Sequence, residues 1–306
     1  MALDYNQVSA ITEKYFLPTA KDNFFDSNPL LKRAKKKFYR KIDGGESIMM
    51  PLEYAETTAS GWYDGSDVLS TTDNQTVTAA NLAWKQLYAN ITISRKEELQ
   101  NSGKAQVISL VKSKMRTAEK TMQDKMGTGL WNAGSTTDAI VGLRAWINTS
   151  STVGGISQSS YSWWAGQLDS SSTVLSMAAL QSLYNSCSID SDVPTCAFTT
   201  RSILNLYYAL LQPQQRFVDS ETAKGGFSSL MFNGIPVVAD SHAPAANLVM
   251  LNEDYLHLFA HKDEDFRMEK FQKPVNQNIR IGKIYWAGAF GCNNNRLQGR
   301  LSAITS

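Results

Sequence analysis

Three histidines, His242, His257 and His261, are the first residues whose type could do chemistry. His257 and His261 stand four apart with Glu253 and Asp254 nearby, a spacing that on a helix would put two imidazoles on one face as metal ligands. The run YLHLFAHK alternates instead, as a strand does. On a strand the two rings share a face but lie about 13 Å apart, four residues at ~3.3 Å each. The H-E-x-x-H pattern is also absent, so no metal site is expected. Cys187, Cys196 and Cys292 are odd in number and show no C-x-x-C spacing. They read as free thiols in a reducing compartment, not as a disulfide framework or a zinc or redox motif. The sequence has no nucleophile elbow, no Walker loop and no dinucleotide fingerprint. Gly44-Gly45 and Gly225-Gly226 are loop glycines without a following phosphate-binding lysine, and carboxylate pairs such as Glu97-Glu98 are too common to carry meaning alone. The expectation is a protein with no catalytic residues and no cofactor.

Charge is the next signal. Residues 32–41, KRAKKKFYRK, hold seven basic residues in ten. Residues 42–84 hold no Lys or Arg, but Asp43, Glu46, Glu53, Glu56, Asp64, Asp67 and Asp73. The basic block reads as a solvated face, as a phosphate contact, or as half of a charge pair with the acidic stretch, within one chain or between copies. The formal net charge of +2 over 306 residues argues against a dedicated nucleic-acid binder. With 42% hydrophobic and 19% charged residues the chain is globular, and no apolar run is long enough to span a bilayer. No signal peptide is seen at MALDYNQVSAITEKYF, so a soluble cytoplasmic protein is expected.

Several elements must position these residues. The first 31 residues are broken by prolines and by Asp and Asn, and carry Tyr15, Phe16, Leu17, Phe24 and Phe25 as anchors for packing across something else. Ile48–Leu52 and Trp84–Ile93 read as two strands around a long polar connection, an extended flap. Ser94 and Glu97 form a capping-box pattern. Val107, Val111, Met115, Ala118, Met122 and Met126 recur at helical spacing as one apolar stripe, with lysines on much of the rest and Gly127 and Gly129 as the stop. The lysine-bearing face of that helix could meet nucleic acid, and the commoner role is a solvated face. Residues 133–172 read as a surface region with aromatic anchors; two helices follow, TVLSMAALQSLYNSCSI and RSILNLYYALLQPQQRF, the latter ended by Pro213. CAFTT, VVAD, NLVMLN, YLHLFA, FRMEKF, NIRIGKIYWAGAFGC and RLQGRLSAI supply strands, giving an α+β order.

The segment 232–259, FNGIPVVADSHAPAANLVMLNEDYLHLF, places Asn233-Gly234 as a tight turn. Ile235–Val238 then form a strand with Pro236 at its edge or start, and Asp240–Pro244 a loop before the strand Leu248–Leu251. His242 is then a loop residue, not a ligand. Together with LNEDYLHLF, FRMEKF and IGKIYWAGAFGCNNNRLQGRLSAI, and with the order of arm, basic segment, flap and long helix, this tail resembles the major capsid protein of tailed bacteriophages, with the Hong Kong 97-type fold. The resemblance covers almost the whole chain, and its most specific part is NGIPVV-AD…AP…LN-DYL.

That resemblance implies an α+β fold with an N-terminal arm at 1–45 and an E-loop at 46–90. It implies a peripheral domain at 91–160 and 261–285 with a spine helix at 104–131, and an axial domain at 161–260 and 286–306. It implies self-assembly into pentameric and hexameric capsomers of an icosahedral shell, located in the virion and assembled in the host bacterial cytoplasm. The implied partners are further copies of the chain, a separate scaffolding protein, a portal, packaged DNA met non-specifically and, optionally, decoration proteins, with no membrane. Some family members crosslink through a flap lysine; residues 42–84 have none, so no crosslink from this flap is expected. An encapsulin-like compartment uses the same fold and is the alternative.

Overall fold

The computed structural model describes residues 28–100, 104–134, 136, 138–171, 174–211 and 230–305, with backbone alone at 98–100 and 104–109. In chain order the elements begin with α1 (Pro29–Lys37), β1 (Tyr39–Ile42), β2 (Ile48–Glu53), β3 (Val77–Leu82) and β4 (Lys85–Ser94). The helices α2 (Arg95–Gln100), α3 (Lys104–Leu130) and α4 (Leu143–Trp146) follow. Next come β5 (Thr152–Val153), β6 (Ile156–Ser157), β7 (Gln167–Asp169), α5 (Met177–Ser186), β8 (Cys196–Thr199) and α6 (Arg201–Leu211). The tail is β9 (Leu230–Phe232), β10 (Ile235–Ala239), β11 (Leu248–Leu251), β12 (Leu256–His261), β13 (Arg267–Gln272), β14 (Ile279–Cys292) and β15 (Gly299–Leu301). The anchors of the first 27 residues, Val107's side chain and the stop at Pro213 lie outside the described residues.

Two sheets organise the molecule. In the first, β1, β12, β14 and β13 are neighbours, and β4 also pairs with β14. The long β14 pairs β4 along Ile279–Gly288 and then β12 along Gly288–Cys292. The boundaries expected at 260/261 and 285/286 therefore fall inside β12 and β14. The second sheet runs β7-β15-β11-β8-β10-β9.

The strands β8 and β11 are buried along their whole length, as their unbroken apolar runs require. Alternate residues enter different cores. Ala197, Leu248 and Met250 pack with α5 and α6 through Leu180, Leu183, Ile203 and Tyr207. Phe198 and Val249 belong to the core shared by α3 and the first sheet. Trp131, just past α3, meets Phe198 edge-on at 6.1 Å between ring centres.

The apolar stripe of α3 behaves as its spacing dictates: Val111, Met115, Ala118, Met122 and Met126 are all buried. Each valine or methionine side chain so removed from water contributes roughly 1.5–3 kcal/mol. Gly127 and Gly129 do not stop this helix, which continues to Leu130. At Gly127 the reason is contact, since a Cβ there would lie 2.8 Å from the Asn28 amide and the His242 ring. The Ser94–Glu97 capping box forms, with Glu97 N–H donating to Ser94 Oγ at 3.2 Å and Ser94 N–H donating to Glu97 Oε2 at 2.9 Å. It caps the separate short helix α2, not α3.

Two further expectations change. The strand returning from the flap is Val77–Leu82, not Trp84–Ile93; KQLYANITIS is a strand, but of the first sheet against β14. Trp146 and Trp164, in the stretch read as a surface region, are fully buried. The turn at Asn233-Gly234 has φ of +46° and +81°, the mirror-image geometry that suits a tight hairpin between β9 and β10. Pro236 sits at the start of β10, before its pairing with β8 begins at Val237.

Candidate assembly surface

The flap is a two-stranded hairpin with an irregular end. β2 and β3 pair antiparallel from Ile48↔Leu82 to Glu53↔Val77. Because side chains alternate along a strand, Ile48, Met50, Leu52, Ala80 and Leu82 enter the core while Met49 and Val77 face out. Past the strands, Tyr54 N–H donates to Thr76 O at 3.0 Å, and Asn74 ties Thr58 N–H (3.0 Å) to Glu56 O (3.1 Å). Asp64 and Asp67 close a turn at the end, Asp67 N–H donating to Asp64 O at 2.8 Å.

Every residue from Ser60 to Asp73 is exposed. Among them are Trp62, Tyr63, Val68 and Leu69; Trp62 and Val68 are about as open as in an extended peptide, at 106% and 99%. Large apolar groups gathered on an outlying loop are what a binding surface shows and a merely solvated loop does not. The root of the flap is fixed to the body. Tyr54 stacks on Trp163 at 4.9 Å, Asn81 N–H donates to Gly154 O at 2.9 Å, and Trp84 Nε1–H donates to Gly45 O at 2.8 Å.

A groove of about 730 Å³ lies between β4 and α3, with Leu87, Tyr88, Thr121, Lys114 and Lys125 among its walls. Lys114 Nζ reaches Thr92 O at 2.7 Å and the Glu97 carboxylate at 2.9 Å. The lysine's hydrogen bond, followed by the Ser94 amide, holds the Glu97 carboxyl down at about 2.

The basic block 32–41 divides between α1 and β1. Arg33 makes a two-pronged bond to Glu253, Nε to Oε1 at 2.6 Å and Nη2 to Oε2 at 2.5 Å. Glu253 is buried, and Thr195 Oγ1 donates to its Oε2 at 3.1 Å. The carboxylate's hydrogen bond raises the Arg33 guanidinium above its ordinary value. Lys41 pairs with Asp265 at 2.7 Å, and Tyr39 O–H also donates to Asp265. Burial first, then the charge of Asp265, pushes the Tyr39 phenol upward. Both carboxylates lie outside the acidic stretch. Asp43, within that stretch, meets Lys262 at 3.8 Å in the open.

The histidines are placed separately. His257 is buried on β12 beside Phe259, and burial, then Arg40, lowers it to about 4. His261, at the end of the same strand, tilts against Trp84 and accepts from Asp263 N–H at 3.1 Å. Glu253, one of the two carboxylates that precede them, is committed to Arg33. Among the described residues no group of three or more metal-ligating side chains forms. All three cysteines are buried and free, and burial pushes Cys187 and Cys292 up to about 12 and Cys196 upward as well. Such thiols act as small apolar groups. His242 is a loop residue as expected, but its ring touches Asn28 and Asp124. No sequence signal marked that meeting, since the partners are 214 and 118 positions apart.

No family model and no curated protein matches the chain by sequence. Solved structures do match. The capsid of cyanophage A-1(L) superposes with a TM-score of 0.68 at 18% identity, over 90% of this chain and 93% of that one. The capsid of a native GTA particle gives 0.64 at 9% identity, over 89% and 90%. An encapsulin of Synechococcus elongatus gives 0.58 at 8% identity, over 89% and 87%. At these identities the likeness is one of fold: the chain has the α+β, Hong Kong 97-type fold of phage capsid subunits.

Proposed function

We propose that this chain is a structural shell protein, the major capsid protein of a tailed bacteriophage, which assembles with copies of itself into the icosahedral head around double-stranded DNA. The observation that carries this reading is the flap. It is acidic, free of lysine and arginine, tipped with exposed Trp62, Tyr63, Val68 and Leu69, and rooted firmly on a body of capsid-subunit fold. A loop of this kind has its apolar tip covered when a neighbouring copy lies beneath it. A modest contact repeated around closed symmetry gives a stable shell from weak pairs. The groove between β4 and α3, with Leu87, Tyr88 and Lys125 on its walls, suits an acidic, aromatic loop.

In this reading 1–45 form the arm, 46–90 the E-loop, 91–160 and 261–285 the peripheral domain with the spine helix, and 161–260 with 286–306 the axial domain. The role is structural, not catalytic. The further partners are a separate scaffolding protein, a portal, optional decoration proteins and DNA touched without sequence preference, and the location is the virion after assembly in the host cytoplasm.

The test is to express the chain alone and together with the genes that flank its own, then to apply size exclusion and electron microscopy. Closed shells, tubes, or rings of five and six are expected. A monomer that never assembles with any flanking product refutes the reading. Shells that enclose one specific enzyme replace it with the encapsulin-like alternative.

A further inference from the structure

We propose that His242 is a pH-sensitive latch that holds the start of α1 against α3 when neutral and releases it when protonated. The proposal stands on contacts within one chain and does not depend on shell assembly. Asn28 is buried and is the N-cap of α1. Its Oδ1 accepts from Leu30 N–H at 2.9 Å and Leu31 N–H at 3.3 Å. That fixes the amide, so Asn28 Nδ2 is the group facing His242 Nδ1 at 3.1 Å. An amide nitrogen only donates, so Nδ1 must carry no proton. The ring proton then sits on Nε2, where Asp124 Oδ1 of α3 accepts it at 3.1 Å. Gly127 lies directly beneath, and any side chain there would displace the pair. The junction therefore requires one tautomer of the neutral imidazole.

Protonation puts a second donor on Nδ1, facing the donor of Asn28. Two carboxylates face the ring: Asp124 from α3, and Asp240 from the ring's own loop. Asp240 is buried, its Oδ1 accepts from His242 N–H at 2.8 Å and lies 3.6 Å from Nδ1, and its Oδ2 has no partner among the described residues. From α1 the facing group is the neutral amide of Asn28, and Ser241 Oγ stands 3.3 Å from Nδ1. The protonated ring has two ways to settle. It swings toward Asp240 and abandons Asn28, or Asn28 turns its oxygen to the ring and uncaps Leu30 and Leu31. The first route releases the start of α1 from the loop with its cap still made, and the second also opens the first turn of α1.

The test is hydrogen–deuterium exchange of the segment 28–38 in the full-length protein, from about pH 8 to about pH 5, the span over which histidine ordinarily changes charge. Rates are corrected for intrinsic exchange. The wild type is expected to lose protection roughly tenfold on acidification, the size set by one lost hydrogen bond beside a charge. Asn28→Asp keeps the cap, since Asp is as good an N-cap as Asn, but offers Nδ1 an acceptor. It reverses the trend, so protection rises as pH falls. His242→Gln, neutral throughout, flattens it, and decides the matter should Asn28→Asp fail to fold. Wild-type protection that does not change with pH overturns the proposal. So does an Asn28→Asp or a His242→Gln variant that follows the wild type.

Discussion

Arg33→Met strands a carboxylate. Glu253 is 1% exposed, and its charge is met by the two-pronged bond from Arg33, with help from the Thr195 hydroxyl and the Cys196 thiol. Methionine fills much of the arginine stem's volume, so the loss is mainly that of the partner. Breaking a buried pair on one side costs about 3–5 kcal/mol. The retained Thr195 bond and the 30% exposure of the Arg33 side chain place this pair near the low end, about 3 kcal/mol. With a urea slope of ~3 kcal/mol/M, the unfolding midpoint of the variant falls by about 1 M. The cost depends on pH in a fixed direction. An unpaired, buried Glu253 has its folded-state carboxyl raised above the unfolded value, so the folded variant takes up a proton more readily than the unfolded chain. The gap to wild type is therefore widest above that raised value and narrows as pH falls through it. Adding Glu253→Gln removes the stranded charge and restores most of the loss. Urea unfolding of wild type, the single and the double variant at about pH 8 and about pH 5 checks this. A single variant within about 0.3 M of wild type at both pH values refutes the reasoning, since a desolvated, unpaired carboxylate cannot be that harmless.

Three further outcomes are expected. Trp62→Ser with Val68→Ser leaves the unfolding free energy within about 0.5 kcal/mol of wild type, because neither side chain touches the folded body, yet weakens assembly at least tenfold in critical concentration; unchanged light-scattering onset counts against the flap as a contact. Gly127→Ala destabilises by about 1–2 kcal/mol although alanine favours a helix, because the added Cβ meets Asn28 and His242 at 2.8 Å; a raised melting temperature contradicts this. His257 is held neutral, at about 4, so the unfolded chain binds its proton first as pH falls below about 6.5 and stability is lost progressively from there down to about 4. His257→Phe removes that part of the acid sensitivity, read as a smaller drop in urea midpoint between about pH 7 and about pH 4.5 than in wild type.

What the sequence made legible follows from periodicity and turn chemistry, which act over a few residues. The stripe Val111–Met126, the hairpin at Asn233-Gly234 and the strand Leu248–Leu251 each announce themselves because helical spacing, positive φ and an unbroken apolar run are local demands. The return strand Val77–Leu82 was not legible, since in VTAANL two β-branched residues are followed by Ala-Ala-Asn, which strands disfavour. It is a strand because Ile48–Glu53 pairs with it and the core accepts Ala80 and Leu82. KQLYANITIS read well as a strand, but alternation says nothing of the partner, which lies nearly 200 residues away in β14. Gly127 misled for the same reason. Glycine in a helix signals a stop when only the helix is considered, and signals close approach once Asn28 and His242 arrive from either end of the chain. The polar junctions show this limit most sharply. Arg33 with Glu253, and His242 with Asn28 and Asp124, join residues more than 100 positions apart, and each residue alone looks like ordinary surface charge or loop chemistry. Apolar packing tolerates exchange among similar side chains, whereas these bonds need one donor opposite one acceptor. The first can be read from pattern; the second is set only when the chain is folded.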